Sequence, residues 1–346
     1  MVKVDRLPSG NYRARVHLGN GKYKPFTGKD KKDVQLRAAQ YEAECKIEQS
    51  LPEAKMTLGE TIGRYIEQKT NVLSPSTIRG YRAVQKNALP KLMQTQLCDI
   101  NTVMLQKAIN AFASDYSPKY TRNVYGLISA TLSTFLPDLR LNITLPQKQK
   151  NEVEIPTEEE VYTIFEHVKD TEMEIPVILG ACCGMRRSEI IGLKWEDVNF
   201  AFGTISINEA IVMDEHGNAV SKGTKSVAGT RIIRMYPFVR DALQRAKNDN
   251  KYVVSLTANQ ISSRFATILK RCGVRHYKFH ALRHYLVSVM LSLNIPKSYI
   301  ADYVGHETEH MIDAVYGHIM ARKKTNVEDI LEDYFTKSVT KSVTVL

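Results

Sequence analysis

The sequence lacks the features that would place a chain in a membrane or in an oxidising compartment. No run of about 18 uninterrupted apolar residues occurs, and Met1 to Gly10 carry charges without an apolar stretch, so neither a membrane span nor a signal peptide is predicted. The five cysteines are odd in number and show neither Cys-x-x-Cys spacing nor a paired metal-ligand pattern. We therefore expect small core cysteines in a reducing cytoplasm, and no metal site.

An acidic excess is also lacking. Lys and Arg number 48 against 37 Asp and Glu, which gives the 346-residue chain a formal charge of +11 and a pI of about 9.2. Such a charge favours phosphate polyanions, so nucleic acid is the first partner to consider, although many basic proteins bind no DNA. A chain of this length is expected to form two or three domains.

Residues 1–50 are predicted to form a small antiparallel sheet followed by a helix. Two alternating runs, 12–18 and 22–26, flank a Gly-Asn-Gly turn signal, and residues 30–48 then follow helical spacing. The segment holds 11 Lys/Arg against 6 Asp/Glu, so one face should be basic. Its candidate DNA contacts are Arg13 and Arg15.

Residues 57–140 are predicted to form a four-helix domain. A capping box opens the first helix at Thr57, and Ser74 and Ser117 each place a cap residue before a first-turn proline. Basic residues on one side of the second and last helices suit a phosphate-lined groove, and a solvated face fits the same spacing equally well. These candidate DNA contacts are Arg79, Arg82, Lys86, Lys119 and Arg122.

Residues 150–335 are predicted to form a third domain of mixed α+β structure. A polar linker without regular periodicity, 137–156, leads into it, and three short β-rich runs between 199 and 237 predict a small antiparallel sheet among helices. The end of the chain, 336–346, repeats Thr-Lys-Ser-Val and is interpreted as a frayed tail, with a short strand as the alternative. The expected fold is therefore multidomain and mainly α.

Four clusters in the third domain together resemble the motifs of the tyrosine recombinases, or phage integrases. Residues 184–189, Gly-Met-Arg-Arg-Ser-Glu, resemble the first-arginine box, in which the arginine stands two residues after the glycine. Residues 280–283, His-Ala-Leu-Arg, resemble the His-x-x-Arg box, whose spacing puts both groups on one side of a helix. The carried-over candidates are Arg186, His280 and Arg283, with Glu189 as a supporting acid.

The other two clusters are the closing box and a hairpin lysine. Gly305-His306 followed by Tyr316 resembles the box that ends in the nucleophile. Lys225, between two predicted strands, is similar to the family's hairpin lysine, and the nearby Lys222 is the alternative. Any of these residues taken alone is more often a surface or core residue without catalytic function, and their order and spacing over more than a hundred residues carry the resemblance.

Attack on a phosphodiester explains why these residue types are needed together. Charge builds on the non-bridging oxygens, and Arg186 and Arg283 are suited to bind them bidentately without a metal. Tyr316 has an ordinary pKa near 10, so it needs nearby cations and a base, for which His280 is the candidate. Lys225 can protonate the leaving 5′ oxygen, His306 can donate to the phosphate, and Glu189 should support the arginines.

The resemblance implies a covalent 3′-phosphotyrosyl intermediate, with no ATP, metal or other cofactor. It also implies a homotetramer on two double-stranded DNA sites and strand exchange through a Holliday junction. Residues 57–140 would be the core-binding domain and residues 1–50 an arm-type DNA-binding domain. An arm domain favours the integrase of a phage or conjugative element, with an excisionase or DNA-bending protein as partner, over a chromosome- or plasmid-resolving recombinase.

Three other functions each fit part of the sequence. Residues 306–310, His-Glu-Thr-Glu-His, satisfy the zinc-hydrolase signature, but a glycine precedes the motif, an acid lies inside it and no clear third ligand follows. A non-catalytic DNA-binding regulator would have no use for the arginine pair, lysine and tyrosine together. A type IB topoisomerase shares the tyrosine chemistry but leaves the N-terminal domain unexplained.

Overall fold

The computed structural model describes residues 3–17, 23–50, 55–137, 139–148, 153–223, 230–306, 308, 309, 312 and 313. The chain divides into two compact units, one of residues 1–150 with 214–217 and the other of residues 151–213 with 218–346. Among the described helices, none combines the length and apolar character needed to cross a bilayer.

The first unit begins with a three-stranded antiparallel sheet in the order β1-β2-β3. The alternation of β2 points Ala14 and Val16 towards the helix that follows, where they pack against Val34 and Ala38. The predicted strands and helix are confirmed, whereas β1, only three residues long, is too short to show alternation in the sequence. The elements are β1 (Val4–Arg6), β2 (Tyr12–His17), β3 (Tyr23–Gly28) and α1 (Lys31–Ser50).

Helices form most of residues 55–137 in the first unit, and the predicted caps are present. Thr57 and Glu60 form the capping box, and the hydroxyls of Ser74 and Ser117 each accept from a backbone N–H in the first turn. Between residues 55 and 137, the described part of the chain has four long helices and one short one around an apolar core, which agrees with the four predicted. They are α2 (Leu58–Lys69), α3 (Pro75–Asn87), α4 (Pro90–Met93), α5 (Thr102–Asp115) and α6 (Pro118–Phe135), with a 3₁₀ turn at Leu97–Asp99.

The segment predicted as a polar linker is partly packed against these helices. Residues 139–148 form neither helix nor strand, in agreement with the missing periodicity. Leu141 and Ile143 nevertheless contact the helical core, and the Gln106 side chain exchanges two hydrogen bonds with the backbone of Thr144. The part of this segment that lies in the first unit therefore belongs to its fold.

The second unit is built around α8, whose residues 175–181 are all buried. Its composition explains this position, because Ile-Pro-Val-Ile-Leu-Gly-Ala carries no polar side chain. Helices α7, α9, α10 and α12 pack against α8. The helices are α7 (Glu158–Val168), α8 (Glu174–Cys182), α9 (Arg187–Gly192), α10 (Pro237–Ala246), α11 (Ala258–Arg271), α12 (Ala281–Ser292) and α13 (Lys297–Val304).

The described strands of the second unit form two separate sheets rather than the single sheet predicted. One has the order β4-β5-β8, and the other is the β6-β7 hairpin. The three predicted runs are confirmed as β5, β6 and β8, while β4 and β7 were not predicted from their short or polar sequences. The strands are β4 (Val198–Asn199), β5 (Thr204–Ile207), β6 (Glu209–Met213), β7 (Ala219–Gly223) and β8 (Arg231–Arg234), with a 3₁₀ turn at Trp195–Asp197.

Candidate active site

The turn from α8 to α9 positions the first arginine. Gly184, two residues after the end of α8, has a left-handed φ of 62°, a conformation that residues with a Cβ rarely adopt. Its carbonyl accepts a hydrogen bond from Arg283 Nη1 at 2.5 Å, so the two arginine motifs meet at this turn. Arg186 follows as the residue that caps α9, and its side chain remains 34% exposed.

Glu189 lies under Arg186 and is 3% exposed. Its Oε1 accepts from Arg186 Nη1 at 2.7 Å and from Arg231 Nη1 at 3.2 Å. Its Oε2 accepts from the Arg186 backbone N–H at 2.8 Å and from Arg231 Nη2 at 2.9 Å. Burial alone raises the pKa of this carboxyl, but the hydrogen bond and charge of Arg231 and the charge of Arg186 outweigh burial and lower it. Glu189 is therefore a buried carboxylate shared by two arginines.

His280 and Arg283 lie at the start of α12, as their spacing predicts. His280 is the residue before the helix, and Arg283 is in its first turn with only 1% of its surface exposed. The His280 ring packs edge-on against His284, with 4.7 Å between centroids. Desolvation, followed by the charges of Arg283 and Arg186, lowers the pKa of His280 to about 4. His280 is consequently neutral at pH 7.

His306 follows the end of α13 and closes the cluster. Gly305 takes a left-handed conformation there, and its carbonyl accepts a hydrogen bond from Arg186 Nη2. Burial and the charges of Arg283 and Arg186 lower the pKa of His306 to about 4. Its Nδ1 is buried and has no hydrogen-bond partner in the part of the chain that the structure describes. The described candidates come from three separate motifs and lie together in one site. They are Arg186, His280, Arg283 and His306.

Two sequence candidates fall outside the described residues. Tyr316 lies beyond residue 313, and Lys225 lies in the segment 224–229 between β7 and β8. The backbone of Lys222 is on β7 opposite Ala210. Glu307 and His310 of the zinc-like motif also fall outside the description, and no group of three metal-ligating side chains occurs among the described residues.

Arg231 and His284 join the site without having been predicted. The run Arg-Ile-Ile-Arg at 231–234 does not reveal its buried face, because both isoleucines are apolar. The structure buries Arg231 and Ile233 and leaves Ile232 71% exposed. The sequence shows His284 directly after Arg283 in the His-x-x-Arg motif. Burial lowers the pKa of His284 to about 4, and the charges of His280 and Arg283 add to this effect.

The DNA-contact candidates occupy several surfaces of the first unit. Arg13 and Arg15 lie on β2, on the face opposite Ala14 and Val16. Among those on helices, Arg79, Lys86 and Lys119 are exposed. Two donate hydrogen bonds within the fold, Arg82 to the Gln85 side chain at 3.3 Å and Arg122 to the Pro146 carbonyl at 2.9 Å. Their contact with DNA stays a prediction.

Two protein-family models match this chain and identify the family to which it belongs. The model described as phage integrase family matches residues 154–323, and the model described as phage integrase, N-terminal SAM-like domain matches residues 57–113. Together these matches cover well over half of the chain. The chain belongs to the phage integrase family of tyrosine recombinases. It is therefore a DNA strand-transferring enzyme, and all six candidate catalytic residues lie within the first match.

Similar proteins include recombinases from bacteria and phages. A tyrosine recombinase XerC-like protein of Caldanaerobacter subterraneus is 23% identical, over 94% of this chain and 96% of its own length. The integrase of Staphylococcus phage L54a is 22% identical, over 76% of this chain and 88% of its own. Both relatives align with most of the length of this recombinase.

Solved structures show the same fold. The Tn1549 transposon integrase, solved with transposon right end DNA, has a TM-score of 0.63 at 16% identity, covering 78% of this recombinase and 99% of that chain. The lambda integrase tetramer bound to a Holliday junction has a TM-score of 0.57 at 16% identity, covering 88% and 96%.

Proposed function

We propose that this recombinase is the integrase of a mobile element, cutting and rejoining double-stranded DNA at attachment sites through Tyr316. The observation that carries the proposal is the convergence of Arg186, His280, Arg283 and His306 on one site with the buried Glu189 beneath it. Transposon and phage integrases among the similar proteins support the mobile-element assignment. The proposal includes assembly as a homotetramer on DNA, as in the lambda integrase complex, and an excisionase or DNA-bending partner.

In the proposed cleavage step the Tyr316 oxygen attacks the scissile phosphorus. The bond from phosphorus to the tyrosine oxygen forms as the bond to the 5′ oxygen breaks. The phenol proton passes to His280, and Lys225 supplies a proton to the leaving 5′ oxygen. Rejoining reverses these transfers with a 5′ hydroxyl of another strand, so no external energy source or metal is required.

The arginines differ in how they can meet the phosphate. Arg186 is open to solvent and is held from behind by Glu189 and the Gly305 carbonyl. Arg283 is buried and donates a hydrogen bond to the Gly184 carbonyl. Bound there, the phosphate charge opposes the effect of both arginines and raises the pKa of His280 from about 4, which makes it a better proton acceptor.

The test of the nucleophile is Tyr316→Phe on a nicked suicide substrate carrying the core site. We expect wild-type DNA affinity, because phosphate contacts elsewhere supply binding, but no covalent protein–DNA complex. Wild-type cleavage should persist in excess EDTA. A covalent complex formed by Tyr316→Phe would assign the nucleophile to another residue. Loss of activity in EDTA, with recovery on zinc, would favour a zinc site at residues 306–310.

The leaving-group acid is tested with a substrate in which sulfur replaces the 5′ bridging oxygen. Sulfur leaves without protonation, so Lys225→Ala should cleave ordinary DNA poorly and recover on the sulfur substrate. Arg186→Ala and Arg283→Ala should not recover, because they stabilise charge on the non-bridging oxygens. Recovery of Lys222→Ala instead of Lys225→Ala would move the role to Lys222.

A further inference from the structure

Besides Arg186 and Arg283, a third arginine, Arg231, lies beneath the active site, and it is buried. Arg231 begins β8, where its backbone pairs with Ile207 of β5. Its side chain is only 6% exposed, although arginine is among the residues least often buried. Ile232, the next residue, is 71% exposed. An apolar side chain faces water while a charged one is buried, so the arrangement at this strand requires a specific partner for Arg231.

That partner is Glu189, and the match is geometrically complete. Arg231 donates from both terminal nitrogens, one to each carboxylate oxygen, at 3.2 and 2.9 Å. Arg186 donates to the same two oxygens, from its side chain at 2.7 Å and its backbone N–H at 2.8 Å. An ionised carboxylate accepts about four hydrogen bonds. The two arginines therefore saturate the hydrogen-bonding capacity of Glu189.

We propose that Arg231 is a positioning residue for strand cleavage, which fixes the Glu189 carboxylate and thereby the Arg186 guanidinium that meets the scissile phosphate. This inference rests on the proposed function. Arg231 acts through Glu189 rather than on DNA, because both its terminal nitrogens are committed to the carboxylate. Arg186 also uses both terminal nitrogens, one for Glu189 and one for the Gly305 carbonyl, but its side chain is 34% exposed, whereas that of Arg231 is 6% exposed.

The charge balance of the buried cluster supports this role. Burial raises the pKa of the Glu189 carboxyl, and Arg231 is the main group that lowers it again. Among the described residues, the charged and titratable groups that act on Glu189 or on its arginine partners include Arg186, Arg231, His280, His306 and the buried thiol of Cys183. Without Arg231, Glu189 keeps only the two hydrogen bonds from Arg186, so the buried carboxylate is held from one side alone. Arg186 then loses its fixed orientation.

The experiment measures single-turnover cleavage of the nicked core-site substrate and DNA affinity in parallel. We expect Arg231→Met to slow cleavage by about 10- to 100-fold, the loss that is typical when a residue orienting a metal ligand is removed, with little change in affinity. Arg231→Lys restores the charge but not the planar fork, so it should recover part of the rate. Arg234→Met, at an exposed position of the same strand, is the matched control and should cleave like wild type.

A double-variant cycle distinguishes positioning from a general structural role. In a Glu189→Gln background, Arg231→Met should cost little further rate, because the carboxylate through which it acts is already gone. This double variant also removes both buried charges, so it serves where Arg231→Met alone folds poorly. An equal loss of rate with and without Glu189, or wild-type cleavage by Arg231→Met, would overturn the inference.

Arg186→Ala separates this inference from the proposed function. Loss of cleavage in Arg186→Ala with normal cleavage in Arg231→Met removes only the positioning role. Normal cleavage in Arg186→Ala means that the arginine clamp itself is wrong, and the role of Arg231 is lost with it.

Discussion

Three histidines in the candidate active site are kept neutral by burial and by the arginines that we propose bind phosphate. Desolvation and neighbouring positive charge lower the pKa values of His280, His284 and His306 to about 4, from an ordinary value of 6.5. An unfolded chain binds protons at these histidines below about pH 6.5, whereas the folded chain does so only near pH 4. Folding stability at these sites is therefore fully present above pH 6.5 and falls as the pH drops towards 4.

His284→Gln tests this linkage at a single residue. The variant should lose less stability than wild type between pH 7 and pH 5, because one proton-binding difference is removed. The difference in slope is at most about 1.4 kcal/mol per pH unit for one proton. Thermal or urea unfolding at several pH values measures it. His167→Gln, at an exposed position of α7, is the control and should keep the wild-type dependence, and an unchanged slope in His284→Gln would contradict the lowered pKa.

At the scale of elements, the α8–α9 turn joins the hydrophobic core to the active site. Gly184 has a φ of 62°, and a Cβ built there would lie 2.9 Å from Leu286 Cδ2 and 3.2 Å from Val304 Cγ1. Its carbonyl anchors Arg283. The turn thus combines a left-handed backbone, a close approach of α12 and α13, and the support of a catalytic candidate.

Gly184→Ala should lower the free energy of unfolding and slow DNA cleavage together. The left-handed conformation costs about 1–2 kcal/mol for a residue with a Cβ, and overpacking adds about 1–3 kcal/mol. Gly203→Ala is the matched control, since Gly203 has a φ of 65° but nothing within 4 Å of an added Cβ. Denaturant unfolding of both variants measures the difference, and equal losses would mean that Leu286 and Val304 give way without cost.

At the scale of the whole molecule, the described catalytic candidates lie in the second unit and residues 1–50 in the first. The N-terminal sheet and α1 have their own apolar cluster, separate from the core of α2–α6. We therefore predict that deletion of residues 1–50 spares cleavage at the core site but abolishes integration of an element-borne attachment site.

The deletion should also weaken binding to arm-site DNA and reduce its salt dependence. For every phosphate that the shortened protein no longer neutralises, the slope of log affinity against log salt should fall by about 0.9 on duplex DNA. Affinity titrations at several salt concentrations measure this, with core-site DNA as the control. Normal integration and unchanged binding to every element-derived duplex would remove the arm-domain assignment and favour a simpler chromosome- or plasmid-resolving recombinase.

Local signals in the sequence determined most of the elements and the family. Helix caps such as Thr57 and Ser117 were readable because an N-cap interaction involves residues three apart. The His-x-x-Arg box was readable for the same reason, since one helical turn fixes its geometry. The strand β1 was missed because three residues are too few to show a period of two, and β7 because its sequence Ala-Val-Ser-Lys-Gly has little apolar or β-branched character.

Only the tertiary structure decided how the active site is supported. Glu189 and Arg231 are 42 residues apart, and Arg186 and Gly305 are 119 apart, so no local pattern connects them. The run at 231–234 leaves its buried face undetermined, because two adjacent isoleucines satisfy either orientation. Arg231 faces inward because a buried carboxylate needs the donors that the second arginine supplies, and that requirement exists only once α9 and β8 are packed together.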